Sequence, residues 1–429
     1  MTSGDASPAQ LRRDLLAQLP AATRDAVERI VAAASSRGSV YAVAGAVRDL
    51  LLGRAMADLD LVMECDAPTI LQAALPDAKV TIHTRFRTAS ATVGGLRIDA
   101  VTARHETYAR PGALPQITPA AIDADLRRRD FAMNAIAVRL SGDAALFDPC
   151  GGLNDIAARR IRVLHDASFQ DDATRIFRAH RYAARLGFTL DPHTQQLLAR
   201  DLRYIDTIGG ERVRREIELM LHEVDAGNAL EAAHRSGALR RAHPALSWDD
   251  ERSGALANPA PPRMPSLPYG FALLAANASP GETPSIVARL KLKRDEAAAV
   301  TAVAAMLGIA QLLRRPDAKP SGVVLLLERF PLAAVAARAA AETDSIARQL
   351  TLRYLEEWRL VKPILRGDDL VEMGVPVGPQ VQRGLKLIRA ARLDGWATDR
   401  DDERALALRF AKSIRDSSAA YADIEFNLN

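Results

Sequence analysis

Residues 41–62 read YAVAGAVRDLLLGRAMADLDLV, and this stretch decides the fold of the N-terminal part of the chain. Its first residues predict a strand, and Gly45 predicts a close turn that a side chain would obstruct. A short helix and a second apolar strand follow. Asp58 and Asp60 are two positions apart, so on a strand they share one face at a spacing of roughly 7 Å. Two carboxylates beside a backbone turn predict a site for Mg²⁺ and a triphosphate.

A third carboxylate strengthens this interpretation, because an isolated pair of aspartates at a strand end is more often simply solvated. The residues on either side of Gly94-Gly95 alternate in polarity, which is typical of a β-hairpin. Asp99 stands among apolar neighbours in the second arm, where a buried charge is costly without a partner. A metal ion shared with Asp58 and Asp60 would provide that partner.

The composition is that of an ordinary globular protein with a large core. The chain has 429 residues, 48% of them hydrophobic and 26% charged, which allows two to four domains. Only 5% are aromatic, which favours helices packed through Leu, Ala and Val. The net charge of +4 permits a nucleic-acid partner without requiring one. Two cysteines, Cys65 and Cys150, fit a reducing compartment. No signal pattern or apolar run of about 18 residues predicts export or a membrane span.

The hydrophobic periodicity predicts an α+β protein, with a mixed-sheet head followed by helices alone. We predict five parts: an N-terminal helical extension (1–37), the head (38–160), a neck (161–225), a body (226–360) and a tail (361–429). Turn-forming residues predict a mobile loop at 104–125 and a linker at 247–268. The C-terminal part predicts helices at 269–277, 284–314, 320–341 and 343–361, and Gly374, Gly378 and Pro379 then predict a loop-helix turn.

Several motifs together resemble the tRNA nucleotidyltransferase and bacterial poly(A) polymerase family of the DNA polymerase beta superfamily. The motifs are AGAVRDLLLG from Ala44, DLDLV, RIDAVTAR, DLRRRDFAMNAIAV from Asp125, SFQDDATRIFRAHRYAARLGF from Ser168, and ERVRRE from Glu211. Three residues depart from the usual pattern: Ala44 replaces a glycine, Asp171 a glutamate and Ala173 a proline. We expect the turn at Ala44 to survive because alanine is small.

The resemblance implies roles for individual residues. Asp58 and Asp60 would bind two Mg²⁺ ions, and Asp99 would help to activate an RNA 3′-hydroxyl. Asp130 would contact the ribose, whereas Gly45 and Arg48 would cradle the triphosphate. The full set implied to bind nucleotide is Gly45, Arg48, Arg129, Asp130, Asn134, Asp172, Arg175 and Arg178. Glu211 and Arg212 are expected to stabilise the neck through ion pairs without touching substrate.

Asp172 and Arg175 are implied to read the nucleobase, and base chemistry supports this. Cytosine and adenine both place an amino donor beside a ring-nitrogen acceptor, which suits one carboxylate and one guanidinium. Uracil and guanine instead place a carbonyl beside an N–H, so both contacts become repulsive. In a continuous helix the two residues would share one face and could bind each other. The alternative to base recognition is therefore an ion pair on the helix surface, worth about 0.2–0.5 kcal/mol.

The function implied is template-independent addition of CCA to tRNA 3′ ends from CTP and ATP, in the cytoplasm. Alternatives within the same chemistry are a poly(A) polymerase and an enzyme that adds only CC or only A. A noncatalytic RNA-binding protein is an alternative from another class, and three clustered carboxylates argue against it. The sequence specifies no oligomeric state.

Overall fold

The computed structural model describes residues 7–258, 266–315 and 317–415. The chain divides into two compact units within these limits. The first comprises the residues through 225 together with 235–241, and the second comprises 226–234 and the residues from 242 onward. All described strands belong to the first unit, and the second is helical. The structure therefore has the predicted α+β order, with a mixed-sheet head followed by helices.

A seven-stranded mixed sheet forms the head, in the order β3-β4-β5-β2-β1-β8-β9. β2 runs parallel to β5 and antiparallel to β1, so the second strand of the opening stretch lies at the centre of the sheet. Helix α4 covers the sheet at β4 and β5. The strands are β1 Val40–Val43, β2 Asp58–Met63, β3 Thr81–His83, β4 Thr88–Val93, β5 Leu96–Thr102, β6 Arg104–Thr107, β7 Gln116–Pro119, β8 Ala137–Arg139, β9 Leu146–Phe147, β10 Arg160–Ile161 and β11 Thr189–Leu190.

The helices within residues 7–242 begin with two that precede the sheet and continue past the predicted neck. They are α1 Pro8–Gln18, α2 Ala21–Ala34, α3 Ala44–Leu51, α4 Ala67–Ala74, α5 Ile122–Arg127, α6 Gly152–Ala157, α7 Ser168–Asp171, α8 Thr174–Leu186, α9 Pro192–Asp201, α10 Gly210–Leu221, α11 Ala226–Arg235 and α12 Ala238–Ala242. Helix α11 is assigned to the second unit through His234. Short 3-10 helices occupy Thr84–Phe86, Ala132–Asn134 and Leu202–Thr207.

The prediction that residues 104–125 form a loop was wrong. The segment contains a two-stranded antiparallel hairpin and the start of α5. β6 pairs with β7 from Arg104 opposite Pro119 to Thr107 opposite Gln116. Near the tip, Gly112 has a φ of 75°, and a side chain there would come within 2.4 Å of Thr207 in the 3-10 helix. Turn-rich composition concealed the hairpin because its strands are short and exposed.

The second unit contains shorter helices than predicted. They are α13 Asp250–Ala257, α14 Ser266–Leu274, α15 Thr283–Leu290, α16 Arg294–Ala305, α17 Ala310–Leu313, α18 Pro320–Leu327, α19 Leu332–Ala341, α20 Ser345–Glu356, α21 Gly367–Glu372, α22 Pro379–Leu393 and α23 Arg400–Arg415, with 3-10 turns at Met306–Ile309 and Trp358–Leu360. The predicted helix 284–314 breaks where Lys291 takes a φ of 50°. The predicted helix 320–341 breaks before Pro331, which caps α19. The predicted linker contains α13, and residues 259–265 of it lie outside the described residues.

One stretch of the described chain is apolar and long enough, by length and composition alone, to cross a membrane. It is the run Arg294–Leu313, with a mean hydropathy of 1.7. The stretch begins with Arg294, Asp295 and Glu296, so it is not an uninterrupted apolar run of about 18 residues. In the structure 44% of the stretch is buried inside the protein, and core helices of soluble proteins meet the same criterion.

Candidate active site

The first site element is the turn between β1 and α3, where Gly45 faces the two aspartates of β2. A Cβ placed on Gly45 would lie 3.7 Å from Arg48 Nη2 and 3.8 Å from both Asp58 Oδ1 and Asp60 Oδ2. The missing side chain thus leaves open space between a guanidinium and two carboxylates. This juxtaposition is the one that the opening stretch of sequence predicted.

Ala44, which departs from the family motif, takes a left-handed conformation with a φ of 53°. The turn survives, as expected, but a non-glycine residue in this region carries strain of roughly 1–2 kcal/mol. The close turn therefore persists at a cost that glycine would avoid.

Asp58 and Asp60 are half-buried, and within the described part of the chain neither has a hydrogen-bond or ion-pair partner. The pKa of Asp60 is raised to about 6, first by burial and then by the negative charge of Asp58. Arg129 and Arg48 oppose the shift. Two unpaired carboxylates beside open space fit Mg²⁺, which binds one or two carboxylates and completes its shell with water and phosphate oxygens.

Asp99 lies beside this pair but does not join it. It is directly opposite Asp60 in the parallel pairing of β5 with β2. Its carboxylate binds Arg97 Nε at 2.8 Å and accepts a hydrogen bond from Ser90. Arg97 thus supplies a charge partner for Asp99, and the sharing of a metal with Asp58 and Asp60 stays a prediction. Within residues 7–258, 266–315 and 317–415, no three His, Cys, Asp or Glu side chains surround one metal position.

Arg48 is buried, and its donors are directed mainly to protein. Its Nη1 donates to Asn134 Oδ1 at 2.7 Å, and its Nη2 lies 2.8 Å from Asp49 Oδ1. The guanidinium carbon also lies 5.3 Å from the centre of the Tyr182 ring. Arg48 is therefore held rigidly at the edge of the Gly45 space.

Asp130, predicted to contact a ribose, is buried and already accepts several hydrogen bonds. Its Oδ1 accepts from the Phe131 N–H and Asn134 Nδ2, and its Oδ2 from Arg178 Nε at 2.9 Å. Burial raises the pKa of Asp130, but Arg178 and the Asn134 hydrogen bond lower it well below the usual range. Asp130 is thus a permanently ionised anchor that ties the 3-10 turn of the head to α8.

Arg129, like Arg181 of α8, has a buried group without a hydrogen-bond partner. Its Nη2 binds Asp125 at 2.9 Å, whereas its buried Nε has no hydrogen-bond partner. Its charge lowers the pKa of Asp60, so it acts on the carboxylate pair. Arg129 therefore places positive charge near the carboxylate pair, while its Nε is enclosed by protein.

The arrangement of Asp172 and Arg175 differs from the one predicted. Helix α8 begins at Thr174, and Asp172 is in extended backbone before it, with φ −144° and ψ 98°. The two side chains therefore do not share a helix face and do not pair with each other. Arg175 is buried and donates to Ser168 Oγ at 2.6 Å and to the Arg128 carbonyl at 2.8 Å. The surface-pair alternative was also wrong.

A single cleft of about 820 Å³ within the first unit gathers these groups. It is lined by all eight residues predicted to bind nucleotide and by Asp58 and Asp60, but not by Asp99. The lining residues that sequence reasoning did not assign to the site include Glu106, Tyr108, Arg128, Tyr182 and Arg212. The Glu106 carboxylate accepts hydrogen bonds from Arg104, Arg128 and the Tyr108 hydroxyl. Local sequence spacing does not reveal that these three donors meet at one carboxylate.

Comparisons with known proteins bear on this cleft. The family described as "Poly A polymerase head domain" matches residues 40–162, and "Probable RNA and SrmB- binding site of polymerase A" matches residues 187–249. The CC-adding tRNA nucleotidyltransferase of Deinococcus radiodurans is 34% identical over 86% of this chain and 88% of its own length. The chain belongs to the tRNA nucleotidyltransferase family.

Other members of this family differ in name and in length. The A-adding tRNA nucleotidyltransferase of Geobacter sulfurreducens is 33% identical over 87% of this chain but only 45% of its own length. The chain likewise spans less than half of two other A-adding relatives. A CCA-adding enzyme of Thermotoga maritima, solved in complex with tRNA, is 25% identical, with a TM-score of 0.76 over 92% of this chain and 97% of that one. Family membership therefore leaves the added nucleotides to be determined.

Proposed function

We propose that this protein is a template-independent nucleotidyltransferase that adds C and A residues to tRNA 3′ ends from CTP and ATP and releases pyrophosphate. The observation that carries the proposal is the open space at Gly45 between Asp58 and Asp60, in the same cleft as Asp172 and Arg175. Phosphate chemistry and nucleobase recognition thus have candidate groups in one cavity. Relatives that are named for CC, A and CCA addition support the substrate class.

The carboxylates of Asp58 and Asp60 would hold two Mg²⁺ ions, the number that the family resemblance implies. When bound, Mg²⁺ supplies Lewis-acid chemistry that lowers the pKa of the RNA 3′-hydroxyl and neutralises the pyrophosphate leaving group. Asp99 contributes at longer range, since its charge raises the pKa of Asp60. In this proposal its predicted contact with the 3′-hydroxyl requires release from Arg97.

The remaining groups bind and orient the nucleotide. Gly45 leaves room for phosphate, and the charge of Arg129, which lowers the pKa of Asp60, favours an anion beside it. Arg48 is held in place beside this space, and Asp130 with Arg178 presents a fixed polar edge for the ribose. Arg175 keeps a defined direction through Ser168 and Arg128, so it can donate to a ring nitrogen.

The experiment that tests the proposal uses purified protein and tRNA transcripts that lack one, two or three terminal nucleotides. CTP and ATP are supplied separately and together with Mg²⁺, and products are resolved by length. We expect C addition to the two shorter acceptors and A addition to the acceptor ending in CC. Addition of C alone, A alone or long A tails would identify a CC-adding enzyme, an A-adding enzyme or a poly(A) polymerase. tRNA binding without any addition would identify a noncatalytic RNA-binding protein.

We also propose that the protein acts in the cytoplasm, where tRNA and a reducing environment are found. Cys65 and Cys150 are both free thiols. This assignment is tested by fractionation of cells that express the tagged chain.

A further inference from the structure

Arg212 of α10 contacts the proposed base-reading carboxylate directly. Its Nη2 donates to Asp172 Oδ2 at 2.7 Å, across 40 residues of sequence. Both side chains are partly exposed, 32% for Arg212 and 21% for Asp172, and both line the cleft. This ion pair lies within the neck, as predicted for Arg212, and it also places the Arg212 side chain at the wall of the cleft.

The hydrogen bonds of Asp172 leave little acceptor capacity. Its Oδ1 accepts from the Thr174 N–H at 3.0 Å and from Thr174 Oγ1 at 2.7 Å, which fixes this oxygen at the start of α8. A carboxylate offers roughly four acceptor positions, about two on each oxygen. With Arg212 on Oδ2, about one position remains for a ligand, and Arg212 determines its direction.

We infer that Arg212 is a positioning residue for nucleobase selection, acting through Asp172; this inference rests on the proposed function. Arg212 holds Asp172 as a charge-paired acceptor with one position directed into the cleft. That position suits the amino group that cytosine and adenine share, and it repels the carbonyl of uracil and guanine. The substrate class that this arrangement selects is a nucleoside triphosphate with a 4-amino-pyrimidine or 6-amino-purine edge.

The same contact has a second consequence. A guanidinium is a donor only, so an Arg212 released from Asp172 becomes a partner for a carbonyl oxygen. Removing Asp172 alone should therefore do more than relax selection, because it leaves a free donor where uracil and guanine place a carbonyl. Removing both residues takes away the carboxylate and the donor together, so the added use of UTP and GTP should largely disappear.

A double-mutant cycle tests this inference with the full chain, a tRNA acceptor and each of the four NTPs. We expect Arg212→Ala to lower kcat/KM for CTP and ATP roughly tenfold, the effect of one hydrogen bond to a charged group. Asp172→Ala should raise the ratio of UTP to CTP use roughly tenfold, and Asp172→Ala/Arg212→Ala should return most of that gain. Arg212→Lys should restore part of the CTP and ATP preference, since one N–H suffices for the contact with Oδ2.

The matched control is Arg241→Ala, which removes an arginine from an exposed ion pair with Asp206, away from the cleft. It should leave all four rates unchanged. Equal UTP to CTP ratios in Asp172→Ala and the double variant would overturn the inference. So would a uniform loss with all four NTPs in Arg212→Ala, which indicates a structural role alone. If Arg212→Ala does not fold, Arg212→Lys supplies the comparison, and a uniform loss with all four NTPs in that variant would also overturn the inference. A wild-type protein that does not prefer CTP and ATP would instead refute the proposed function.

Discussion

Gly45→Ala should remove most nucleotide addition while leaving the fold intact. The added Cβ would meet Arg48 Nη2 at 3.7 Å and the Asp58 and Asp60 oxygens at 3.8 Å, which are ordinary van der Waals distances. Gly45 lies in α3 and does not have a positive φ. Alanine at such a helical position is favoured over glycine by roughly 0.5–1 kcal/mol. The free energy of unfolding should therefore stay the same or rise slightly.

Activity should fall because the methyl group occupies the space between the carboxylates and the guanidinium. A phosphate oxygen displaced from this space loses at least one charge-assisted interaction, worth about 1.5–3 kcal/mol. The expected loss in kcat/KM for CTP and ATP is roughly ten- to hundredfold. The assay is single-nucleotide addition to a tRNA acceptor at several NTP concentrations, with urea unfolding measured on the same preparation.

A helical glycine of the second unit provides the control. Gly254 lies within α13, and a Cβ there would meet nothing within 4 Å, so Gly254→Ala should match the stability change without affecting activity. Wild-type kcat/KM in Gly45→Ala would refute the assignment of this space to phosphate and metal. A large loss of stability would refute the geometric argument itself.

Three further predictions follow from the same geometry. Because the pKa of Asp60 is about 6, above the ordinary value, the metal-free folded protein binds a proton there more tightly than the unfolded chain and loses stability as pH rises from about 4 to 6. In EDTA, Asp60→Asn should therefore raise the melting temperature at pH 7–8 but not near pH 4, and an unchanged melting temperature at pH 8 would contradict this. In Mg²⁺ without EDTA, the same variant should lose the stabilisation that Mg²⁺ gives to the wild type. Ala44→Gly should leave the free energy of unfolding within about 0.5 kcal/mol of wild type, since relief of strain offsets the entropy of glycine, whereas Ala46→Gly, at a buried helical position, should cost about 1 kcal/mol or more in urea unfolding. Gly112→Ala should displace the hairpin tip from Thr207 and slow A addition more than C addition, and equal losses in separate CTP and ATP assays would indicate general damage to the head.

Sequence alone predicted the features that depend on neighbours in the chain. The common face of Asp58 and Asp60 and the hairpin at Gly94-Gly95 are set by local backbone geometry, and both are present. The turn after β1 is present too, but its positive φ falls on Ala44, and Gly45 leaves room for a Cβ, so the prediction that a side chain at Gly45 would obstruct the turn was wrong. Local periodicity failed where a single residue interrupts a helix, as at Lys291, which takes a positive φ without being a glycine.

Only the tertiary structure decided which groups neutralise each charge. Asp99 is an exception, because its partner Arg97 lies two residues earlier on the same strand, β5, and shares its face. Asp172 finds Arg212, which is 40 residues away on another helix. Burying a charge requires a partner, but any of the 57 lysines and arginines could supply it. The backbone of the active site is thus encoded by short motifs, whereas the electrostatics of the cleft depend on packing between distant segments.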